Sequence, residues 1–239
     1  MCHEIDMLRE ASGMDATEST NLERRPIATR NNRLVQRIAG WLVRKGVSAN
    51  FISVCGMLFG CLAGGLLYAT GLESSFERFL WVLAAALIQL RLLANLLDGM
   101  VAVESGMLSP VGELYNEIPD RVSDVAILIG AGFAAGALPA IGFVAACLAV
   151  FTAYVRAAGK AAGAHQEFGG PMAKPQRMFL VTCGALYAGI APQDWQPVVT
   201  SQDWTIGVMG MILLVICAGC VVTSIRRLLR IAAALRGRS

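Results

Sequence analysis

Apolar runs close to twenty residues long recur along this chain of 239 residues, separated by short polar segments. An α-helix rising about 1.5 Å per residue needs a run of that length to cross roughly 30 Å of hydrocarbon. Inside a bilayer every backbone amide must find its partner within the segment or a closed barrel, so such runs specify helices. Composition agrees: 56% of the residues are hydrophobic and only 15% are charged, too few charges to clothe a soluble domain. The expected fold class is an all-α integral membrane protein. Its transmembrane helices fall near 51–71, 79–102, 110–135, 138–160, 177–192 and 204–225.

Charge placement tests that count. Residues 1–28 are polar and aperiodic, the signature of a flexible segment, and they hold no apolar core of a signal peptide. From Thr29 to Lys45, Leu34, Ile38, Trp41 and Leu42 share one helical face while Arg30, Arg33, Arg37, Arg44 and Lys45 leave it or flank it. This pattern predicts an interfacial amphipathic helix over 29–46, basic face toward anionic headgroups. The six-helix domain then covers 47–230, and 231–239 form a basic tail. Basic residues concentrate in the N-terminal arm, in the 156–177 segment and after Arg226; the alternate loops carry Glu73, Glu77, Asp194 and Asp203. Under the positive-inside rule the three basic regions face the cytoplasm, which requires an even number of spans and puts both termini on that side. A net charge of +3 is too small to mark a nucleic-acid binder. Cys217 and Cys220 lie mid-span and read as small residues at a helix contact. Gly56, Gly60 and Gly64 form a ridge that lets two helices approach closely, either within the chain or at a dimer seam.

The stretch Asn95 to Asp120 breaks the apolar pattern. Asn95, Asp98 and Ala102 share one face of the helix ending the second span; Gly112, Asn116 and Asp120 share one face of the helix opening the third. Ser109-Pro110 reads as an N-cap followed by proline at the first helical position. A short loop between them makes the helices antiparallel, so their polar faces can line one cavity. Ionisable residues inside spans are costly and usually mark a functional cavity. Oxygen ligands from Asp and Asn suit Mg²⁺, Mn²⁺ or Ca²⁺ over zinc, and Gly99 and Gly112 leave room for a bulky ligand. Together they suggest phosphate chemistry. A simpler reading pairs these groups with Arg91 and Arg121 as ties between helices.

At these residues the sequence resembles the CDP-alcohol phosphotransferase family. Its motif D-x2-D-G-x2-A-R-x8-G-x3-D-x3-D falls in register on Asn95, Asp98, Gly99, Ala102, Val103, Gly112, Asn116 and Asp120. "GVSANFIS" is similar to the family's segment before the first span. The resemblance implies that 47–230 is a catalytic domain in the bacterial cytoplasmic membrane. It implies Mg²⁺ or Mn²⁺ at Asn95, Asp98, Asn116 and Asp120, with Asp120 as general base. It implies nucleotide contacts at Gly99, Ala102 and Gly112, and acceptor-phosphate contacts at Arg156, Lys174 and Arg177. The donor is a CDP-alcohol, CDP-diacylglycerol before others, and the product a phospholipid or related phosphodiester. The chain departs from the motif where Asn95 and Asn116 replace aspartates and Val103 replaces the arginine. Its motif ligands thus offer two formal charges in place of four. Two other readings stay open on sequence grounds: a member that binds a CDP-lipid or metal without turnover, and a transporter with an ion site.

Overall fold

The computed structural model describes residues 33–72, 75–106, 110–165 and 169–237. The flexible segment expected over 1–28 and the Ser109 cap lie outside the described residues. Seven α-helices follow in order: α1 Arg33–Arg44, α2 Ala49–Thr70, α3 Glu77–Glu104, α4 Pro110–Phe133, α5 Pro139–Ala161, α6 Lys174–Ile190 and α7 Val208–Arg236. A helix therefore stands at each expected span. Four of them, α2, α3, α5 and α7, are long and apolar enough to cross a membrane. α4 carries the polar stretch, and α6 has only 17 residues. α7 runs unbroken to Arg236, so the basic segment expected as a tail from 231 begins inside a helix.

Local chemistry sets the helix ends. Ser48 caps α2, its Oγ accepting from the Phe51 amide at 3.2 Å. Pro139 and Pro175 occupy first-turn positions of α5 and α6, where a missing N–H costs nothing. Gly106, with φ of +66°, turns the chain after α3. Between α6 and α7 a two-stranded antiparallel hairpin pairs β1 Val199–Thr200 with β2 Thr205–Ile206, and Trp195 and Trp204 are exposed beside it.

Packing is the reverse of a soluble core. Small residues such as Ala63, Ala84, Ala131, Ala145, Ala149 and Ala185 fill the interior, while Leu58, Leu62, Phe79, Phe143, Phe151 and Leu214 point outward. Lipid tails are as apolar as leucine, so helices in a bilayer gain by close backbone approach and leave large side chains to the lipid. This is an integral membrane protein. α2 lies along both α3 and α4, which scarcely touch each other. Its glycine ridge makes that possible: a Cβ at Gly56 would come within 3.0 Å of Ala94 Cβ, one at Gly60 would collide with Ser123, and one at Gly64 with the Ala126 carbonyl. The ridge is thus used inside the chain and offers no free dimer seam. The backbones of α3 and α4 stay apart beside α2, and their polar faces meet through a long side chain, Arg91 of α3 reaching Asp120, Ser123 and Asp124 of α4.

Candidate active site

Where α2, α3 and α4 come together, a small cleft is lined by Ser53, Gly56, Met57, Arg91, Asn95, Asp98, Pro119 and Asp120. α3 contributes Arg91, Asn95 and Asp98, spaced four and three residues apart and so on one face. Asp120 comes from α4 directly after Pro119, which has no N–H to give to the preceding turn.

Asp98 is 3% exposed. Its Oδ2 accepts from Ser53 Oγ at 2.7 Å, whereas its Oδ1 is buried with no hydrogen-bond partner. Among the described residues no ion pair reaches this carboxylate. A buried carboxylate oxygen is costly without a partner, and this one belongs to a residue that lines the cleft.

Asp120 is bound on both sides. Its Oδ1 and its backbone carbonyl accept from Arg91 Nη2 at 3.2 and 3.1 Å, and its Oδ2 pairs with Lys174 Nζ. Lys174, the first residue of α6, also donates to Asn95 Oδ1 at 2.8 Å. One turn further along α4, Asp124 is enclosed: Arg91 Nη2 meets its Oδ1 at 2.7 Å and Arg177 Nη2 its Oδ2 at 3.0 Å. Arg177, itself buried, further donates to the Met172 carbonyl at 3.0 Å and to Thr152 Oγ1 at 3.4 Å. Arg91 Nε donates to Ser123 Oγ at 2.9 Å, and Arg227 holds the Gly169 and Thr152 carbonyls at 3.0 and 2.8 Å. At the open rim Glu117 pairs with Arg156 and, at 3.2 Å, with Arg121.

The structure thus brings Asn95, Asp98, Asp120 and Lys174 into one neighbourhood. Gly99 and Ala102 are half-buried on α3 and Val103 is exposed. Gly112 and Asn116 belong to α4, with side chains outside the described residues. Arg156 lies at the rim, and Arg177 lies inside the bundle, bound to Asp124. Ser53, Asp124 and Thr152 went unremarked in the sequence. Asp124 had a signal, since it continues the four-residue step Gly112, Asn116, Asp120; Ser53 and Thr152 are ordinary polar residues in apolar helices and had none.

Among the described residues no group of three or more His, Cys, Asp or Glu side chains gathers to hold a metal ion. The cleft offers a different set: two carboxylates, Asp98 and Asp120, with the Asn95 carbonyl oxygen. Hard oxygen donors with an unpartnered Asp98 Oδ1 fit one divalent ion of the Mg²⁺ type, which keeps several waters or takes phosphate oxygens for its remaining positions.

Fold and site together define a helical integral membrane protein with a buried ionic network opening onto a cleft. No family model matches the chain. It is 24% identical over 156 residues to the inner membrane protein YnbA of Escherichia coli (strain K12), across 65% of this chain and 75% of that protein. It is 25% identical over 188 residues to the phosphatidylinositol phosphate synthase of Mycobacteroides abscessus, across 75% of this chain and 80% of that one. Among solved structures, Mycobacterium tuberculosis phosphatidylinositol phosphate synthase with CDP-DAG bound matches with a TM-score of 0.65 at 21% identity, covering 84% of this chain and 94% of that one. The same enzyme in complex with manganese and citrate matches with a TM-score of 0.65 at 20% identity, covering 82% of this chain and 88% of that one. These likenesses establish a common fold.

Proposed function

We propose that this chain is a CDP-alcohol phosphotransferase of phospholipid biosynthesis, transferring a phosphatidyl group from a CDP-linked lipid to an acceptor hydroxyl and releasing CMP. The observation that carries the reading is Asp98, buried beside a cleft with one oxygen unpartnered, at the aspartate position of a gapless family motif. The relatives that synthesise phosphatidylinositol phosphate support it, as does the fold shared with an enzyme crystallised with CDP-DAG. The reading includes six spans, α2 through α7, with α1 lying in the cytoplasmic interface and both termini cytoplasmic. Exposed Trp195 and Trp204 then sit in the opposite interface, as aromatic belts do.

A divalent ion, Mg²⁺ or Mn²⁺, held among Asn95, Asp98, Asn116 and Asp120 neutralises charge on the donor's phosphoryl oxygens. The chain's own groups do the rest. Ser53 fixes Asp98 so that its free oxygen faces the cleft. Gly99, Ala102 and Gly112 leave the nucleotide space against the helix backbones. Arg91 holds Asp120 in orientation through its carboxylate and its carbonyl. Asp120 takes the proton of the acceptor hydroxyl as that oxygen attacks the β-phosphorus. The bond to the CMP oxygen breaks, and CMP departs with the electron pair. Of Arg156, Lys174 and Arg177, Arg156 at the rim is the most accessible to an acceptor phosphate, and Arg177 is buried.

The test is CMP release by the purified protein with CDP-diacylglycerol and Mg²⁺ or Mn²⁺, against a panel of polar alcohols and their phosphates. Acceptor-dependent CMP is expected, lost in both Asp98→Ala and Asp120→Asn while the protein stays folded in membranes. Release surviving both substitutions overturns the assignment.

A further inference from the structure

In the ionic network Arg91, Lys174 and Arg177 stand against Asp120 and Asp124. The pairing is uneven in space. Asp124 has both oxygens met by guanidinium groups, and Asp120 is met by Arg91 on one side and Lys174 on the other. Asp98 makes no ion pair among the described residues and accepts a side-chain hydrogen bond from Ser53. Lys174 contacts a carboxylate oxygen of α4 and an amide oxygen of α3 at once, as a cation bridging the two helices would. A second divalent ion at that corner would lie beside both an ammonium and a guanidinium, with one carboxylate and one uncharged Asn95 to hold it, and repulsion would oppose it.

We propose that Lys174 is a built-in second cation of this site. The chain binds a single divalent ion on the Asp98 side, and the Lys174 ammonium, at the Asn95–Asp120 corner, supplies the other positive charge that grips the donor's diphosphate. The inference rests on the phosphotransferase reading and accounts for the asparagine at position 95, whose amide oxygen accepts from Lys174 where a second metal ion would call for a carboxylate. Lys174 is thereby assigned to the donor and not to the acceptor. Its place suits it to the task, because the residue opens α6 beside Asn95 and Asp120, followed at once by Pro175.

The experiment titrates the metal-free full chain in detergent with Mn²⁺, counting bound ions by loss of the free-ion EPR signal. One ion per chain is expected for the natural sequence. The Asn95→Asp/Lys174→Gln double variant, eluting as a single folded species, is expected to bind two. A second measurement follows CDP binding at saturating Mn²⁺, which Lys174→Gln should weaken tenfold or more while leaving the single Mn²⁺ in place. Two ions or none on the natural chain overturns the inference without recourse to any variant. So does a folded double variant that still takes one, or CDP affinity indifferent to Lys174→Gln. CMP release on the same preparations separates the two claims. Acceptor-dependent CMP with two ions bound removes Lys174 from this role and keeps the phosphotransferase. One ion bound without CMP from any donor keeps the ion count and removes the phosphotransferase.

Discussion

Asp98 and Asp124 are the same side chain at nearly the same burial, on neighbouring helices of one network, and they are partnered in opposite ways. Asp124 is closed by Arg91 on one oxygen and Arg177 on the other. Asp98 has a hydroxyl on one oxygen and nothing on the other. Burial alone therefore does not separate scaffold from site. Between these two carboxylates completeness of pairing does: the one met on both oxygens ties helices together, and the one left short lines the cleft.

The largest effect is expected where the closed carboxylate is removed. Asp124→Ala leaves the buried Arg177 guanidinium without its counter-charge and Arg91 with Asp120 alone, and breaking a buried pair in this way costs about 3–5 kcal/mol. Loss of the monodisperse peak in detergent, or a steep fall in melting temperature, is the expected readout. A folded Asp124→Ala protein with a normal melting temperature and no CMP release would reverse the two roles.

Asp98→Ala should do the opposite. Charge stabilisation by a bound metal is worth several kcal/mol in the transition state, so CMP release should drop about a thousandfold. Stability should hold or rise, because a buried oxygen without a partner is removed. Paired activity and thermal-shift measurements on the two variants sharpen the comparison, and a stability loss in Asp98→Ala as great as in Asp124→Ala would erase it.

Gly60 links the two halves. A Cβ there would collide with Ser123, the residue that receives Arg91 Nε. Gly60→Val is expected to push α2 from α4 and destabilise the protein by about 1–3 kcal/mol, as overpacking commonly does. It should also lower CMP release, since Arg91 orients Asp120. Thermal unfolding followed beside the assay reads both, and a neutral result would show that α2 tolerates a wider gap than its packing indicates.

How much of this was legible follows the same division. The helices were, because apolar runs and basic loops are imposed by the bilayer and not by partners. Position 109 onward shows the limit: the step Gly112, Asn116, Asp120 is visible as a motif, yet its continuation to Asp124 acquires meaning only once Arg177, fifty-three residues later, is seen to reach it. Arg91 was legible as a tie to the acidic stretch, and it is one. Arg177 and Lys174 read equally well as solvated loop residues, because sequence does not reveal that α6 opens inside the bundle. The glycine ridge had two readings from spacing alone, and only the helices packed against it decide between them.

The smallest effect is expected at Ser53, whose side chain bonds Asp98. Its hydroxyl donates to Asp98 Oδ2 at 2.7 Å and contacts the Ala49 carbonyl at 3.2 Å, so it restrains the carboxylate that lines the cleft. Ser53→Ala removes that restraint without removing the ligand. Partners that orient a ligand typically change metal affinity by 10–100-fold, and the low end applies here because the carboxylate remains. Mn²⁺ binding should weaken about tenfold, close to 1.4 kcal/mol, with CMP release recovering as Mn²⁺ is raised. Recovery is the deciding feature: a variant that stays inactive at saturating Mn²⁺ would mean that Ser53 touches the reacting groups themselves, and that the open side of the network begins one helix earlier than Asp98.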